Sequence, residues 1–437
     1  MNLQELRELS HRVDDPRELA LYVLKNYTQS EDIHAKVDIF LLCRNLEVFY
    51  MPLDLEGIDG LYINGNKTKK AFIGLNSNQK IRRMKFTLAH ELCHHIKDYR
   101  DENHFTLKEK TNRRTPYNGL ESFANRFAAE ILIPHKEFKA KLQDYTAKGF
   151  IEKKDLCKLA DYFEVSYSSI KKRAETFGEE IIEDNDYFQL DEKIDFKIKL
   201  QYINSLLHQE FFELDKIRKK CIKDIVENDS RFEGANLSTN EISELLFDKD
   251  NLDKTSLTEN QVEILGLNYI YNSLMHENNA PNQYKLKSYY SNLYKFANYE
   301  VIEYRKSNAI ITGSNITTVP FEKIDTEMYY LFKRHESLFD IWNDKTDIKN
   351  FNELSESHQG ITSIHPFPDG NGRMSRFLLN WVLKINSLPF MIISLDKKNK
   401  YLKDLSQADI WNFEPLSFLF IDSLYDSINT FITKYNV

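Results

Sequence analysis

The chain has only four cysteines in 437 residues, Cys43, Cys93, Cys157 and Cys221, and they lie far apart. Without a Cys-x-x-Cys pair the sequence offers no thiolate zinc site, and without paired spacing it offers no disulfide framework. This usage fits a reducing, cytoplasmic compartment. Long hydrophobic runs are missing as well. No stretch of about 18 apolar residues occurs, and the opening MNLQELRELSHRVDDPREL carries charge throughout in place of an apolar core, so neither a membrane span nor an export signal is expected. A basic excess is also absent. The 59 Lys and Arg stand against 67 Asp and Glu, a net charge of -8 that speaks against a general nucleic-acid coat or an anionic-membrane binder. Internal repeats and low-complexity tracts are lacking too.

What the chain does have is length and apolar material. At 437 residues it exceeds one ordinary core, since domains run to about 100–200 residues, so two or three domains are expected. The first 180 residues read as mixed α+β: a helix near 16–27, strands in LEVFYMPL and KAFIGLN, and helices from 82 onward. At 179–195 the stretch EEIIEDNDYFQLDEKID is acidic and aperiodic, which reads as a joint. The expected division is therefore a domain at 1–180, a linker at 181–195 and a second domain at 196–437. The second domain is nearly all helical except for NAIITGSNITTVP at 308–320, whose β-branched residues flank a Gly-Ser turn like a hairpin. The predicted fold class is mostly α, an α+β domain followed by an all-α one with a β-hairpin.

In RRMKFTLAHELCHHIKDY the apolar positions Phe86, Leu88, Leu92 and Ile96 suit a buried helix, and His90 and His94 fall four apart on one face. Two imidazoles so placed can share a zinc ion and leave a position for water, whose pKa the metal lowers toward about 7, with Glu91 placed to take its proton. The pentapeptide alone leaves an inert helix equally open. Glu121, in ESFANRFAAEILIP at 121–134, offers a third ligand on a second helix with an apolar face at Phe123, Phe127 and Ile131. The combination of FTLAHELCHH with ExxANxFAAExLxP resembles the ImmA/IrrE-type metallopeptidases over roughly residues 15–178. The resemblance implies zinc held by His90, His94 and Glu121, with Glu91 as general base. His95 reads as a local hydrogen-bonding residue. The closing LADYFEVSYSSIKKRAETFG at 159–178 has the cadence of a helix-turn-helix, with Lys171, Lys172 and Arg173 on its second helix. The acidic balance favours a structural role for it over DNA binding.

A second dense stretch, HPFPDGNGRMSR, runs from 365 to 376. Its glycines let backbone N–H groups turn inward as an anion nest at the start of the helix FLLNWVLKI. Arg373 and Arg376, one turn apart, offer planar forks to further phosphate oxygens, and Asp369 can hold a magnesium ion. His365 can take a proton from an incoming hydroxyl. A nucleotide polyphosphate is the natural ligand.

The stretch matches HxFx(D/E)GNGRxxR, and residues 225–425, roughly, resemble Fic-domain proteins. The resemblance implies a protein adenylyltransferase that moves AMP from ATP to a hydroxyl side chain of a target protein. It makes His365 the base, Asp369 the magnesium ligand, Gly370, Asn371 and Gly372 the α-phosphate loop, and Arg373 and Arg376 the holders of the phosphate chain. The hairpin stands where these proteins carry a flap that docks the target by strand pairing, with Ile310 and Ile311 as its clamp. DSRFEGANLSTNEISELL, about 229–246, resembles their inhibitory helix, whose signature is (S/T)xxxE(G/N). Glu233 and Gly234 fit the end of that signature, and Asp229 stands at its Ser/Thr position. A glutamate on the Arg376 guanidinium would occupy the fork meant for the γ-phosphate.

Three alternatives stay open: Glu233 orienting water to remove AMP from a modified protein, a repressor-cleaving peptidase with the Fic domain as its regulator, and a first domain that is a binding module without catalysis. The sequence leaves the oligomeric state open.

Overall fold

The structure is a computed structural model that describes residues 1–28, 36–65, 70–97, 105–106, 119–145, 150–182, 190–210, 212–247, 253–299, 301, 304–311 and 316–435. The Gly-Ser turn of the expected hairpin and residues 183–189 of the expected linker lie outside the described residues. The chain divides into two compact units, Met1–Glu210 and Phe211–Val437. It is mostly helical, with an α+β first unit and a helical second one. No helix among the described residues is long and apolar enough to cross a membrane.

The first unit holds helices α1 (Leu3–Ser10), α2 (Pro16–Tyr27), α3 (Ile39–Asn45), α4 (Ile81–Lys97), α5 (Gly119–Leu132), α6 (His135–Gln143), α7 (Lys153–Phe163), α8 (Tyr167–Thr176) and α9 (Glu192–Leu207). Its sheet takes β1 (Phe49–Leu53), β2 (Gly60–Ile63), β3 (Phe72–Asn76) and β4 (Phe105–Thr106) in the order β1-β3-β2-β4. β1 runs parallel to β3 with Phe49 opposite Phe72, and β2 runs antiparallel to β3 with Tyr62 opposite Ile73. α4 lies on β2 and β3 and packs along α5. Its Leu88, Leu92 and Ile96 are fully buried, as are Phe127 and Ile131 of α5. Burying each such side chain stabilises the fold by roughly 1.5–3 kcal/mol, and the shared α4–α5 seam fixes where the histidines of α4 point.

The first turn of α4 also gathers the rest of the unit. Buried Arg82 donates to Asp161 of α7 at 2.8 Å and to the Val165 carbonyl at 3.1 Å, and it pairs with Asp195 of α9. Lys85, fully buried, meets Glu164 at 2.8 Å. The turn between α7 and α8 is thus pinned to α4. Arg173 of α8 is likewise held by Glu130 at 2.7 Å. The sequence reading gave 196–210 to the second domain. α9 instead belongs to the first unit, because it packs on α3 and α4 and its Asp195 closes the Arg82 cluster.

The second unit holds α10 (Leu214–Phe232), α11 (Thr239–Phe247), α12 (Glu259–Met275), α13 (Gln283–Leu293), α14 (Ile324–Arg334), α15 (Ile348–Ile364), α16 (Asn371–Ile385), α17 (Lys398–Ala408) and α18 (Glu414–Tyr435). α16 is the central helix: every residue from Arg373 to Lys384 is buried, Phe377 and Trp381 fully so, and it packs on α12, α13 and α15. Side-chain caps start the surrounding helices, Thr258 with Gln261 at α12 and Asp347 at α15. The expected inhibitory helix at about 229–246 is not one helix. α10 ends at Phe232, Gly234 takes a left-handed turn at φ 99°, and α11 starts at Thr239. Glu233 therefore sits at the C-terminal end of α10.

Candidate functional sites

In the first unit, α4 and α5 bring three donors together. His90 Nε2 and His94 Nε2 are 3.2 Å apart, and the Glu121 carboxylate lies 3.5 Å from the first and 3.6 Å from the second. Tetrahedral ligands at about 2.0–2.2 Å from a zinc ion stand about 3.4 Å from one another, so the donor set fits that metal in kind and in spacing. Both histidines are largely buried, and Glu91 is 3% exposed one residue along α4. The Asn125 amide oxygen meets His90 Nδ1 at 3.1 Å. An amide oxygen only accepts, so Nδ1 carries the proton and Nε2 keeps its lone pair for the metal. His95 turns away from this group. Its ring meets the Leu46 carbonyl at 2.9 Å and the Tyr62 hydroxyl at 3.1 Å, and burial lowers its pKa to about 3.

In the second unit, the stretch 365–376 bridges α15 and α16. His365 caps α15 in a left-handed conformation, φ 52°, which costs a non-glycine residue about 1 kcal/mol and marks functional loops. Arg305 holds it there: Nε donates to the His365 carbonyl at 2.7 Å, and its backbone N–H donates to the Pro366 carbonyl at 3.0 Å. Asn371 closes the loop from the other end, accepting from Phe367 N–H at 2.9 Å and donating to the Phe367 carbonyl at 2.8 Å. One lone pair and one N–H of its amide are taken up, so the Asn371 side chain shapes the loop.

Gly370 precedes α16 at φ 73°, and α16 has no side-chain cap among the described residues. Its first N–H groups are thereby left for an anion, with the positive end of the helix dipole behind them. A Cβ on Gly372 would stand 2.9 Å from Glu233 Oε1 and 3.2 Å from Arg376 Nη1, so only glycine lets a carboxylate or a phosphate come this close.

Arg373 is anchored by Glu263 of α12 and by Asp369, 2.9 Å away. The Asp369 side chain is 73% exposed, at the mouth of the site. Arg376 is buried and carries two carboxylates, both from α10 and its end. Asp229 takes Nε, and Glu233 takes Nη2 at 2.5 Å. Burial works against each of these charges. For Arg376 the two carboxylates more than offset it, so its pKa is raised, and for Glu233 the guanidinium does the same, so its pKa is lowered. The Phe232 ring lies 4.7 Å from the guanidinium carbon and completes the cage.

His365, Asn371, Gly372, Arg376 and Glu233 face one cleft of about 630 Å³, which Ile311 and Tyr401 also line; Arg373 and Asp369 are not on its wall. Its volume suits a nucleotide-sized ligand. Burial lowers the pKa of His365, with a further push from Arg305, so the imidazole is neutral at pH 7. Beside the cleft, Ile310 pairs with Thr317 in an antiparallel bridge, and the Thr318 hydroxyl donates to the Ala309 carbonyl at 2.5 Å. Ile310 is 91% exposed while Ile311 turns into the cleft wall. Arg305 reaches this segment too, donating to the Ser307 carbonyl at 2.7 Å and to that of Val319. One guanidinium thus ties the hairpin base to His365. Sequence reasoning gave no role to Arg305, Glu263 or Asn125, which stand outside the dense motifs or act through a partner distant in sequence.

Residues 43–175 match the family model described as an IrrE N-terminal-like domain, and residues 282–383 match that of the Fic/DOC family. The chain carries an IrrE-like peptidase-family domain followed by a Fic domain. A protein adenylyltransferase Fic of Drosophila yakuba is 26% identical over 215 residues, 48% of this chain and 42% of that protein. The one of Nematostella vectensis is 39% identical over 59 residues, 14% of each chain. The chain spans less than half the length of these curated relatives. Among solved structures, a Fic domain containing signaling protein from Bacteroides thetaiotaomicron is 19% identical with a TM-score of 0.45, covering 54% of this chain and 95% of that one.

Proposed function

We propose that the second unit transfers AMP from ATP to a hydroxyl side chain of a target protein, and that Glu233 holds it at rest. The first unit, in the same proposal, is a zinc-dependent endopeptidase. One observation carries the reading above the others: the loop that would seat a polyphosphate is fully shaped, and the guanidinium that would complete it is held by a carboxylate from α10. The adenylyltransferase names of the relatives supply the reaction class.

In the transfer, neutral His365 takes the proton of the target O–H as that oxygen bonds to the α-phosphorus. The bond from the α-phosphorus to the bridging oxygen breaks, its electron pair leaves with pyrophosphate, and the target keeps an AMP ester. The N–H groups at the start of α16 and the forks of Arg373 and Arg376 stabilise the charge that builds on the phosphates. Asp369, exposed at the mouth, would hold magnesium, which neutralises part of the polyphosphate charge. Arg373 keeps Glu263 as an anchor when Asp369 lets go. Ile310 and Ile311 flank the target segment as it pairs with the hairpin edge.

In the first unit His90, His94 and Glu121 would hold zinc, a Lewis acid toward water and the scissile carbonyl. Glu91 accepts the proton of the attacking water and passes it to the leaving amine. A repressor-like protein is the proposed substrate class, and the cytoplasm, on cysteine usage, the proposed compartment. A reverse reading of the second unit has one observation in its favour: Glu233 faces the cleft with a lowered pKa, so its carboxylate can orient water toward an AMP ester.

Incubating lysate with ATP labelled at the α-phosphate, with either Glu233→Gly or Glu233→Gly/His365→Ala protein, tests the transfer. Protein-bound label that requires His365 supports it, and label that is indifferent to His365 overturns it. A parallel reaction on an AMP-modified target reads the reverse direction.

A further inference from the structure

Within the first unit, the groove between α4 and α5 opens into a cleft of about 670 Å³, with the first turn of α2 and the face of α8 as its other walls. Its floor is apolar, formed by Phe86, Ala129, Ile133 and Val165. Five arginines and lysines line the walls. Arg173 is taken by Glu130 at 2.7 Å and Arg83 by Asp59 at 2.5 Å. The other three, Arg17, Arg126 and Lys172, are exposed and make no ion pair among the described residues. The two carboxylates on the walls are engaged, Asp15 as the cap of α2 and Glu130 on Arg173. The lining therefore carries an excess of positive charge, five cations against two carboxylates. His135, on the same wall, reports that field: burial first, then Arg17 and Arg173, hold its pKa below the ordinary value.

One end of the cleft approaches the metal triad, which does not itself line it. Asn125, on the cleft wall, holds His90 at 3.1 Å, and Ser122, also on its wall, follows Glu121 in the chain. An apolar floor under a cationic rim, ending at Asn125 beside His90, matches a strand whose side chains alternate between apolar and acidic. A nucleic acid would leave the floor without use, and the chain's net charge of -8 opposes one.

We propose that this cleft binds an extended acidic peptide segment with apolar side chains, and that Arg17, Arg126 and Lys172 select its carboxylates. What then happens to the segment rests on the peptidase reading, but the binding does not.

The test uses the full chain carrying Glu91→Gln, so that no bound peptide is cut, and reads fluorescence anisotropy. The probes are a labelled Glu-rich peptide with interspersed Leu and Val, its Lys-for-Glu counterpart, and a duplex oligonucleotide as competitor. The acidic peptide is expected to bind at least about tenfold tighter than the basic one. Adding Arg126→Glu and Lys172→Glu should remove about tenfold or more of that affinity with zinc content unchanged. Equal affinity for the two peptides, unchanged affinity in the double variant, or displacement of the peptide by the oligonucleotide would overturn the proposal. Cleavage is scored separately with Glu91 intact. Binding without cleavage keeps the cleft and removes the peptidase reading, while cleavage of a peptide that ignores the rim cations does the opposite.

Discussion

Glu233, at the end of α10, accepts a hydrogen bond from Arg376 Nη2 at 2.5 Å across 143 residues of sequence. Asp229, one turn earlier, holds Nε of the same guanidinium. The fork that would reach a γ-phosphate is thus gripped twice, once from a fully buried position and once from the cleft edge. The two grips have different consequences.

Asp229 is 4% exposed and Glu233 has a side chain 37% exposed. Removing one partner of a buried pair strands the other charge and costs about 3–5 kcal/mol, whereas a solvent-reached pair contributes roughly 1 kcal/mol or less. Asp229→Asn is therefore expected to destabilise the second unit far more than Glu233→Gln. All three tryptophans, Trp342, Trp381 and Trp411, lie in that unit, so urea unfolding followed by intrinsic fluorescence reads it alone. Equal midpoint shifts would contradict this.

The order of these effects was not legible in the sequence, although much of the site was. HPFPDGNGRMSR carries its meaning because the glycines, the base and both arginines fall within one loop and helix start, where local geometry fixes their relation. His90 and His94 are legible for the same reason, one helical turn apart. Glu233 could be read only through a signature, since its partner is distant. Asp229, Arg305, Glu263 and Asn125 acquire their roles from neighbours 35 to 147 residues away, and no local pattern announces that. α9 misled for a related reason. Its buried residues, Phe196, Ile198, Leu200, Tyr202, Ile203 and Leu206, trace no single stripe, so its unit is decided by packing and by Arg82.

At the metal centre, purified protein should contain about one zinc per chain, lost on His90→Ala or Glu121→Ala and retained on Glu91→Gln. Asn125→Ala should weaken zinc binding by about 10–100-fold, the usual effect of freeing a ligand's second nitrogen. Competition with a chromogenic chelator measures it. Unchanged affinity in the Asn125 variant would remove its orienting role.

For the transfer, the direction of the His365 shift sets the pH profile. Its pKa lies below the ordinary 6.5, so the base form predominates at that pH and above. With the activated Glu233→Gly protein, kcat/KM should fall only on the acid side, with the midpoint of that limb below about pH 6.5. His365→Ala should abolish transfer and leave nucleotide binding largely intact. An acid limb centred at pH 7 or higher would contradict the assignment.

Fully buried His358 donates or accepts at the Tyr401 hydroxyl, 2.7 Å away, and burial with the nearby Arg376 charge lowers its pKa to about 3. The folded unit therefore binds fewer protons than the unfolded chain between about pH 3 and 6.5, and its stability falls as pH drops through that window. The slope from this one group approaches 1.4 kcal/mol per pH unit, roughly, by linkage. His358→Gln should flatten the tryptophan-monitored stability profile between pH 6 and 5. An unchanged slope would place the acid sensitivity elsewhere.

The most direct test of the account is the rate of AMP transfer by Glu233→Gly protein, read as protein-bound label from ATP labelled at the α-phosphate. Freeing Arg376 Nη2 for the γ-phosphate should raise transfer, self-modification included, by at least the tenfold that about 1.4 kcal/mol represents, and adding His365→Ala should cancel the gain. Transfer that stays at the wild-type level in Glu233→Gly, with removal of AMP from a modified target lost instead, would contradict the inhibitory role and assign the glutamate to the reverse reaction.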